Sequence, residues 1–222
     1  MKIPAWKSAF SYVFPVLVAE YTSSVSGRIR IWLTRGKLVL DSPQANYSFG
    51  ALHQVFREVF AETGFHEFPS GRMLLLGLGG GSVPTLIYGE MQLNLPITAV
   101  EVDPMMIRLA KEYFGAAHRP LLEIVEQDAR IYVRQADQKF STIVVDMFID
   151  NEVPDDFATP VFLEQLHKLA EPDGRIYFNM ITTDEAQRKK CEQVRFVMQS
   201  WAGVVNEYPV MYANTVLFWQ GR

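Results

Sequence analysis

The alternation of hydrophobic and polar residues near the start of the chain predicts a small β unit. From Arg28 to Asp41, apolar side chains alternate with more polar ones. Arg35-Gly36 supplies a turn within this stretch, which is therefore predicted to form a β-hairpin. The stretch from Tyr12 to Tyr21 is strand-like as well. We expect residues 1–48 to form a small N-terminal β-hairpin unit.

From Met73 onward, short apolar runs alternate with helical patterns, the arrangement of a parallel sheet with crossover helices. The predicted strands are Met73 to Leu78, Ile97 to Val102, Leu122 to Glu126, Thr142 to Phe148 and Arg175 to Met180. Two last runs, residues 210–212 and 216–219, are too close together for a crossover helix, so they are predicted to pair antiparallel. We expect residues 49–222 to form an α/β, Rossmann-like, doubly wound and mostly parallel sheet with this antiparallel C-terminal pair.

Capping residues predict where three of the helices begin. Asp103 and Thr159 each precede a proline and an apolar helical pattern, which is typical of an N-cap followed by proline at the first helical position. Asp184 and Glu185 open a longer helical pattern in the same way. We therefore expect helices directly after Asp103, Thr159 and Asp184.

Composition narrows the class of protein. Hydrophobic residues make up 49% and charged residues 21% of the 222 positions, which fits a globular chain rather than a disordered or fibrous one. The single cysteine, Cys191, cannot form an intrachain disulfide, in keeping with a reducing compartment. The formal charge is −4 and no basic block exceeds residues 188–190, so we expect no nucleic-acid partner.

The most apolar stretch of the chain runs from Ala9 to Ala19. It contains Pro15 and is too short to cross a bilayer. We interpret it as a buried strand or as an interface between chains. The sequence therefore predicts a cytoplasmic protein with no membrane partner.

A glycine cluster follows the first predicted strand of the main domain. Gly77, Gly79 and Gly81 let the backbone pass close to a ligand, because no Cβ intrudes. The dinucleotide fingerprint asks for a further glycine where Ser82 stands. The loop is thus a candidate nucleotide cradle, and a tight strand-to-helix turn is the structural alternative.

Carboxylates follow the next three strands. Glu101 ends the second strand, at the sheet edge where doubly wound folds bind ligands, and it can accept hydrogen bonds from ribose hydroxyls. Asp128 follows the third strand and can accept from an adenine amino group, for which Ala129 leaves room. Asp146 stands at the end of the fourth strand and is expected to point at the reaction centre. Each acid alone could be a helix cap or a solvated loop residue, but the combination favours a site.

The remaining acidic residues and histidines give weaker indications of function. Four carboxylates, Asp150, Glu152, Asp155 and Asp156, lie within seven residues. They would attract a polyamine by Coulomb attraction, although a solvated surface loop is the favoured interpretation. The four histidines lack metal-ligand spacing, so no metal is expected. His53 and His167 lie on the polar sides of their helices and are predicted to be surface residues.

Taken together, these motifs resemble the spermidine synthase family within the class I S-adenosylmethionine-dependent methyltransferase fold. The resemblance rests on residues 74–81, 100–103, 126–129, 143–146 and 214–218. It implies that Glu101 holds a ribose, that Asp128 and Ala129 hold an adenine, and that Asp146 handles an attacking amine. S-adenosylmethionine or its decarboxylated form would be the co-substrate, and the expected assembly is a homodimer.

Two departures from the family pattern keep other functions open. The family's glycine loop carries an aspartate for the donor's amino group, whereas this chain has Gly80. The second acid of the fourth-strand motif stands one residue late, at Asp150. The leading hypothesis is aminopropyl transfer to an amine acceptor that the sequence does not identify.

Two alternatives remain beside aminopropyl transfer. One is an S-adenosylmethionine-dependent methyltransferase, for which Gly80 is no obstacle. The other is a nucleotide-binding protein without transferase activity. A nicotinamide dehydrogenase is disfavoured by Ser82 and by Asp128-Ala129.

Overall fold

The computed structural model describes residues 4–41, 51–67, 70–148, 152–210 and 213–222. A short helix, α1 (Ala5–Phe10), precedes a three-stranded antiparallel sheet. Its strands are β1 (Val16–Ser23), β2 (Gly27–Thr34) and β3 (Lys37–Asp41), in that order. Arg35 and Gly36 have φ values of 50° and 74°, the left-handed pair that a two-residue hairpin turn requires. The small N-terminal β-hairpin unit is therefore confirmed, although its first strand begins at Val16 rather than at Tyr12.

The main sheet has seven strands among the described residues. They are β4 (Met73–Leu76), β5 (Ile97–Glu101), β6 (Leu122–Glu126), β7 (Phe140–Val145), β8 (Ala170–Ile181), β9 (Val204–Val210) and β10 (Asn214–Gln220). Their order is β6-β5-β4-β7-β8-β10-β9. The first five are parallel, and β10 pairs antiparallel with both β8 and β9. This confirms the doubly wound, mostly parallel sheet with an antiparallel C-terminal pair. The first strand of that pair lies earlier than predicted, at Val204–Val210, and residues 211–212 of the predicted run lie outside the described residues.

Helices connect these strands and cover both faces of the sheet. They are α2 (Ala51–Glu62), α3 (Ser82–Thr85), α4 (Pro104–Tyr113), α5 (Ala129–Gln135), α6 (Pro160–Leu169) and α7 (Glu185–Gln199). Shorter helical turns lie at Phe65–Glu67, Leu86–Glu90, Ala116–His118 and Asp155–Ala158. Asp103, Thr159 and Asp184 each accept a hydrogen bond from the first turn of the following helix. The three predicted helix starts are therefore confirmed.

The core lies on both sides of the sheet. Met73 and Leu75 of β4 belong to the cluster that includes Phe60 of α2, whereas Leu74 and Leu76 belong to the cluster beneath α6 and α7. All four β4 side chains are fully buried. This two-sided burial explains why the central strands are continuously apolar in the sequence.

Two histidines differ from their predicted surface positions. His53 is only 9% exposed, and its Nε2 lies 2.7 Å from Glu90 Oε1. The prediction was wrong because the turn at Leu86–Glu90 covers the polar side of α2. The His167 ring stacks on Trp201 with centroids 4.4 Å apart, so it is partly buried as well.

The N-terminal unit packs on α4. Ile29, Ile31 and Leu40 form a cluster with Met106 and Leu109. This contact fixes the sheet of the N-terminal unit beside the first turn of α4.

The apolar stretch from Ala9 to Ala19 is largely exposed. Phe10 is 51%, Phe14 59% and Leu17 43% exposed, so the predicted buried strand is wrong for these side chains. The stretch contributes the end of α1 and the start of β1, which is an edge strand of the three-stranded sheet. Within the described residues, no helix is both long and apolar enough to cross a membrane.

Candidate active site

The candidate site lies where the strand order of the main sheet reverses. The chain runs outward from β4 to β5 and β6 on one side, and from β7 to β8 on the other. In doubly wound sheets, ligands bind outside the carboxyl ends of the strands at such a switch point. Gly77 directly follows β4 and Asp146 directly follows β7, so both residues stand at this position.

A cavity of about 370 Å³ occupies this position. Six of the sequence-predicted residues line it, namely Gly77, Gly79, Glu101, Asp128, Ala129 and Asp146. Val25 and Ser26 of the N-terminal unit and Pro154 and Phe157 of the loop before α6 complete its rim. The structure therefore brings together residues that lie far apart in the chain.

The three glycines of the loop play different conformational roles. Gly77 has a φ of +91°, and a Cβ there would overlap the carbonyl oxygen of Asp146. Gly79 has a φ of 50° and lines the cavity. Gly81 has a φ of +77° and open space where a Cβ would stand, and it is the N-cap of α3 rather than part of the cavity wall. Gly80 is buried in the same loop and offers no side chain.

Glu101 ties the glycine loop to the end of β5. Its Oε2 accepts hydrogen bonds from the backbone amides of Leu78 and Gly79, both at 3.1 Å. Its Oε1 accepts from the Asp103 amide at 3.0 Å. Burial raises the pKa of Glu101, while these three bonds counteract the rise. The carboxylate thus holds the loop in shape from within the cavity wall.

Asp128 is paired with a cation at the mouth of the cavity. Its Oδ1 caps α5 by accepting from the Arg130 amide at 2.8 Å. The Arg130 guanidinium donates to both carboxylate oxygens and also bonds Asp156. These bonds lower the pKa of Asp128. Arg130 Cζ lies 5.8 Å from the centre of the Phe157 ring, so one side chain links α5 to the turn before α6.

Asp146 is the deepest carboxylate of the site. Its amide donates to the Leu76 carbonyl at 2.8 Å, which fixes its backbone beside β4. Its Oδ1 accepts a hydrogen bond from Asn179 Nδ2 at 3.0 Å. Burial raises the pKa of Asp146 to about 6, and the bond from Asn179 limits that rise. Near neutral pH, the group can therefore both accept and release a proton.

The predicted acidic loop is only partly described. Asp150 lies outside the described residues. Asp155 forms an ion pair with Lys190 at 2.5 Å, and Asp156 pairs with Arg130. Two of the four carboxylates are therefore already matched by cations. Among the described histidines, cysteines and acids, no group of three is arranged to hold a metal ion.

Several contacts at the site were missed by the sequence interpretation. Ser23 and Ser26 each donate to Asp103 Oδ2 at 2.6 Å, and Asp103 is 1% exposed. This bond pair holds the β1–β2 turn beside the cavity. Sequence showed Asp103 only as a cap, since its serine partners are 80 and 77 positions away.

A second missed contact is the amide pair behind Asp146. Asn214 Nδ2 donates to Asn179 Oδ1 at 3.0 Å. Asn179 stands in β8 between Phe178 and Met180, all of them buried. An amide within a buried apolar strand is a signal that could have indicated it.

Curated relatives match parts of this chain. A polyamine aminopropyltransferase from Vibrio vulnificus is 31% identical over 120 residues, which are 51% of this chain and 39% of that protein. The mouse eEF1A lysine and N-terminal methyltransferase is 26% identical over 154 residues, or 65% of this chain and 21% of that protein. The chain thus spans about two fifths and one fifth of the length of these relatives. No protein-family model matches it.

Solved structures share the fold. Spermidine synthase from Thermotoga maritima superposes with a TM-score of 0.73 at 16% identity, covering 93% of this chain and 73% of the other. Human methyltransferase-like protein 13 in complex with SAH superposes with a TM-score of 0.64 at 22% identity, covering 78% and 83%. These superpositions show that the chain has a known fold. The chain therefore has the fold shared by spermidine synthase and class I S-adenosylmethionine-dependent methyltransferases, and about half of it is similar in sequence to a polyamine aminopropyltransferase.

Proposed function

We propose that the chain binds an S-adenosylmethionine-type donor and transfers an aminopropyl group to an amine. The observation that carries the proposal is Asp146, whose carboxylate lines the cavity beside the glycine loop. Its Oδ1 is held by Asn179, while its Oδ2 accepts no bond from the described residues. An open carboxylate oxygen at a switch point is suited to an amine ligand.

The donor is proposed to lie along the strand ends that precede Asp146. Gly77, Gly79 and Gly81 shape the loop, and Glu101 would hold the ribose. Asp128 and Ala129 would face the adenine. The Asp128 carboxylate must then accept from the adenine amino group either alongside Arg130 or in place of Arg130. The SAH in the human neighbour supports a donor of this type.

The acceptor step requires a proton acceptor. A primary amine has a pKa of about 10.4 and is protonated near neutral pH, so it cannot attack until its proton leaves. In the proposed step, the amine nitrogen bonds the carbon next to the sulfonium. The carbon–sulfur bond breaks, methylthioadenosine leaves, and the proton passes to Asp146 or onward to water. Asp150 is the second acid proposed by resemblance and lies outside the described residues.

Methyl transfer to an amine is the second candidate. The feature that favours it is Gly80, which supplies no carboxylate for the amino group of a decarboxylated donor. The mouse methyltransferase also aligns with more of this chain than the Vibrio enzyme does, 65% against 51%. Both relatives are named for amine substrates, so the two candidates share the attack of an amine on a sulfonium carbon.

Calorimetry and product identification separate these candidates. The purified chain is titrated with S-adenosylmethionine, its decarboxylated form and methylthioadenosine. The chain is then incubated with each donor and a short aliphatic diamine or a lysine-containing peptide. Aminopropyl transfer predicts tighter binding of the decarboxylated donor and release of methylthioadenosine. Release of S-adenosylhomocysteine would instead establish methyl transfer, and no heat from any of the three would refute S-adenosyl binding.

Matched variants test the role of Asp146. Asp146→Asn is expected to lower turnover at least tenfold while it retains donor binding, since general base groups typically contribute 10²-fold or more, by order of magnitude. Asp137→Asn is the control, because Asp137 is exposed and does not line the cavity. Turnover of Asp146→Asn at the parent rate would remove Asp146 from the mechanism.

We propose in addition that the chain is a cytoplasmic homodimer. The exposed side chains of Phe10, Phe14 and Leu17 are the proposed contact, because contiguous apolar surface often marks a protein interface. Light scattering on the purified chain tests the assembly. A dimer that Phe14→Ser converts to a monomer is expected, and a monomeric parent protein would contradict the proposal.

A further inference from the structure

We infer that Asn179 and Asn214 act as positioning residues that fix which carboxylate oxygen of Asp146 faces the acceptor. The inferred contacts stand on the geometry alone, whereas their catalytic consequence rests on the proposed function. Neither residue lines the cavity. Their effect on an acceptor would therefore pass through Asp146.

The three side chains form a directed chain of hydrogen bonds across three strands. β8 lies between β7 and β10 in the sheet, and Asp146, Asn179 and Asn214 belong to the ends of these neighbouring strands. Asn214 Nδ2 donates to Asn179 Oδ1 at 3.0 Å. Asn179 Nδ2 donates to Asp146 Oδ1 at 3.0 Å. Two consecutive bonds of ordinary length therefore lead from the C-terminal hairpin to the cavity.

The chemistry of the groups determines which residue donates and which accepts in each of these hydrogen bonds. An ionised carboxylate only accepts hydrogen bonds, so Asn179 must turn its amide nitrogen toward Asp146. The Asn179 oxygen then faces Asn214, which has to donate. A flipped Asn179 would place two oxygens opposite each other at Asp146 and two amide groups opposite each other at Asn214. Asn214 thus holds Asn179 in the orientation that an ionised Asp146 needs.

Burial makes this arrangement costly unless it is complete. Asn179 is 0% exposed, and burying an amide without hydrogen-bond partners destabilises the folded state. Asn214 donates a hydrogen bond to the side-chain oxygen of Asn179, and Asp146 accepts one from its side-chain nitrogen, so both polar atoms have partners. Packing alone would be served by an apolar residue, as at the neighbouring Phe178 and Met180.

Other charged groups share the cavity with Asp146 but do not bond to it. They are Glu101, Asp128, Arg130 and Asp156. Glu101 is bonded by backbone amides, and Arg130 is paired with Asp128 and Asp156. Among the described residues, Asn179 is therefore the donor that stabilises the ionised form of Asp146 against burial, which raises the pKa of Asp146.

The test is a titration of the Asp146 carboxyl carbon by ¹³C NMR, with the resonance assigned by its loss in Asp146→Asn. In Asn179→Ala, the proton affinity of Asp146 is expected to rise about tenfold, because the variant removes the hydrogen bond that stabilises the ionised carboxylate. Asn214→Ala is also expected to raise the proton affinity of Asp146, but by a smaller factor. Because Asn214 lies at a strand end and is partly exposed, this second variant keeps the test valid if Asn179→Ala fails to fold.

Thr215→Val is the matched control. Thr215 is 5% exposed and bonds Thr182 at 3.0 Å, so the variant removes a buried hydrogen bond beside β8 without touching Asp146. Its Asp146 titration should match that of the parent protein. An equal shift in Thr215→Val, or an unchanged midpoint in both asparagine variants, would overturn the inference.

Kinetics distinguish this inference from the proposed function. If the chain turns over an amine, the pH profile of kcat/KM should move upward in Asn179→Ala by as much as the NMR midpoint, while donor affinity stays unchanged. A shifted profile together with a shifted midpoint supports positioning. A shifted midpoint without any turnover leaves the contacts established and refutes only the proposed function.

Discussion

The buried carboxylate of Asp146 should make the protein less stable at neutral pH than an uncharged replacement would. Asp146→Asn removes the charge and keeps an oxygen to which Asn179 Nδ2 can donate. The pKa of about 6, against an ordinary aspartate value of about 3.9, corresponds to about 3 kcal/mol, since a tenfold change in proton affinity is about 1.4 kcal/mol. We expect Asp146→Asn to raise the free energy of unfolding by up to this amount near neutral pH.

The pH dependence follows from the sign of the shift. Because the pKa of Asp146 is higher in the folded state than in the unfolded state, its contribution to stability is fully present below about pH 4. That contribution decreases as the pH rises and is lost above a pH of about 6. The difference between variant and parent should therefore grow from near zero to about 3 kcal/mol across this window.

Urea unfolding followed by tryptophan fluorescence, at several pH values from about 4 to about 8, measures this difference. All other titrating groups, including Glu101, are common to both proteins, so subtraction removes their contribution. Asp137→Asn, at an exposed position away from the cavity, is the control for the chemical change itself. A variant that is no more stable than the parent at about pH 8, or a difference independent of pH, would refute the desolvation of Asp146.

Two further predictions concern the walls of the cavity. Gly77→Ala should lower the free energy of unfolding by roughly 3 kcal/mol or more, because the new Cβ overlaps the Asp146 carbonyl. Gly81→Ala, with a similar φ and open space, should cost only about 1–2 kcal/mol, and equal losses in urea unfolding would contradict the close approach. Removing the serine hydroxyls that bond the α4 cap should cost about 2 kcal/mol each. Ser23→Ala with Ser26→Ala should also speed amide exchange in β1 and β2 more than either change alone, whereas unaltered exchange would show that these bonds do not hold the turn.

Much of the site followed from the sequence because parallel strands place their carboxyl ends at one edge. Once β4 to β7 were recognised, Gly77, Glu101, Asp128 and Asp146 had to approach each other, whatever their roles. Their separation along the chain did not matter. The antiparallel C-terminal pair followed from its short connection, whereas the order of the seven strands was supplied by the structure.

Contacts between side chains on distant loops could not be predicted in this manner. Arg130 lies two positions after Asp128, but its second partner, Asp156, lies 26 positions away in another segment. Nothing in either local pattern specifies that pair. His53 was misplaced for a related reason, since a helical pattern shows which face is polar but not which segment covers that face.

The charges that line the cavity bear on whether the donor is S-adenosylmethionine or its decarboxylated form. Glu101 accepts three backbone amide hydrogen bonds and is assigned to the ribose of the donor, and Asp128 and Asp156 are matched by Arg130. Asp146 is then the lining carboxylate with an oxygen open to a ligand. A decarboxylated donor and an amine acceptor each bring a cationic amino group, and with Gly80 in the loop both would compete for that oxygen.

Aminopropyl transfer therefore needs a second acid, which the cavity can supply only if Arg130 releases Asp128 or Asp156, or if Asp150 reaches the site. Methyl transfer has no such requirement, because the donor's own carboxylate accompanies its amino group. Preference for the decarboxylated donor in calorimetry would accordingly mean that one of these acids becomes available on binding. Preference for the intact donor would mean that the single open carboxylate serves the acceptor alone.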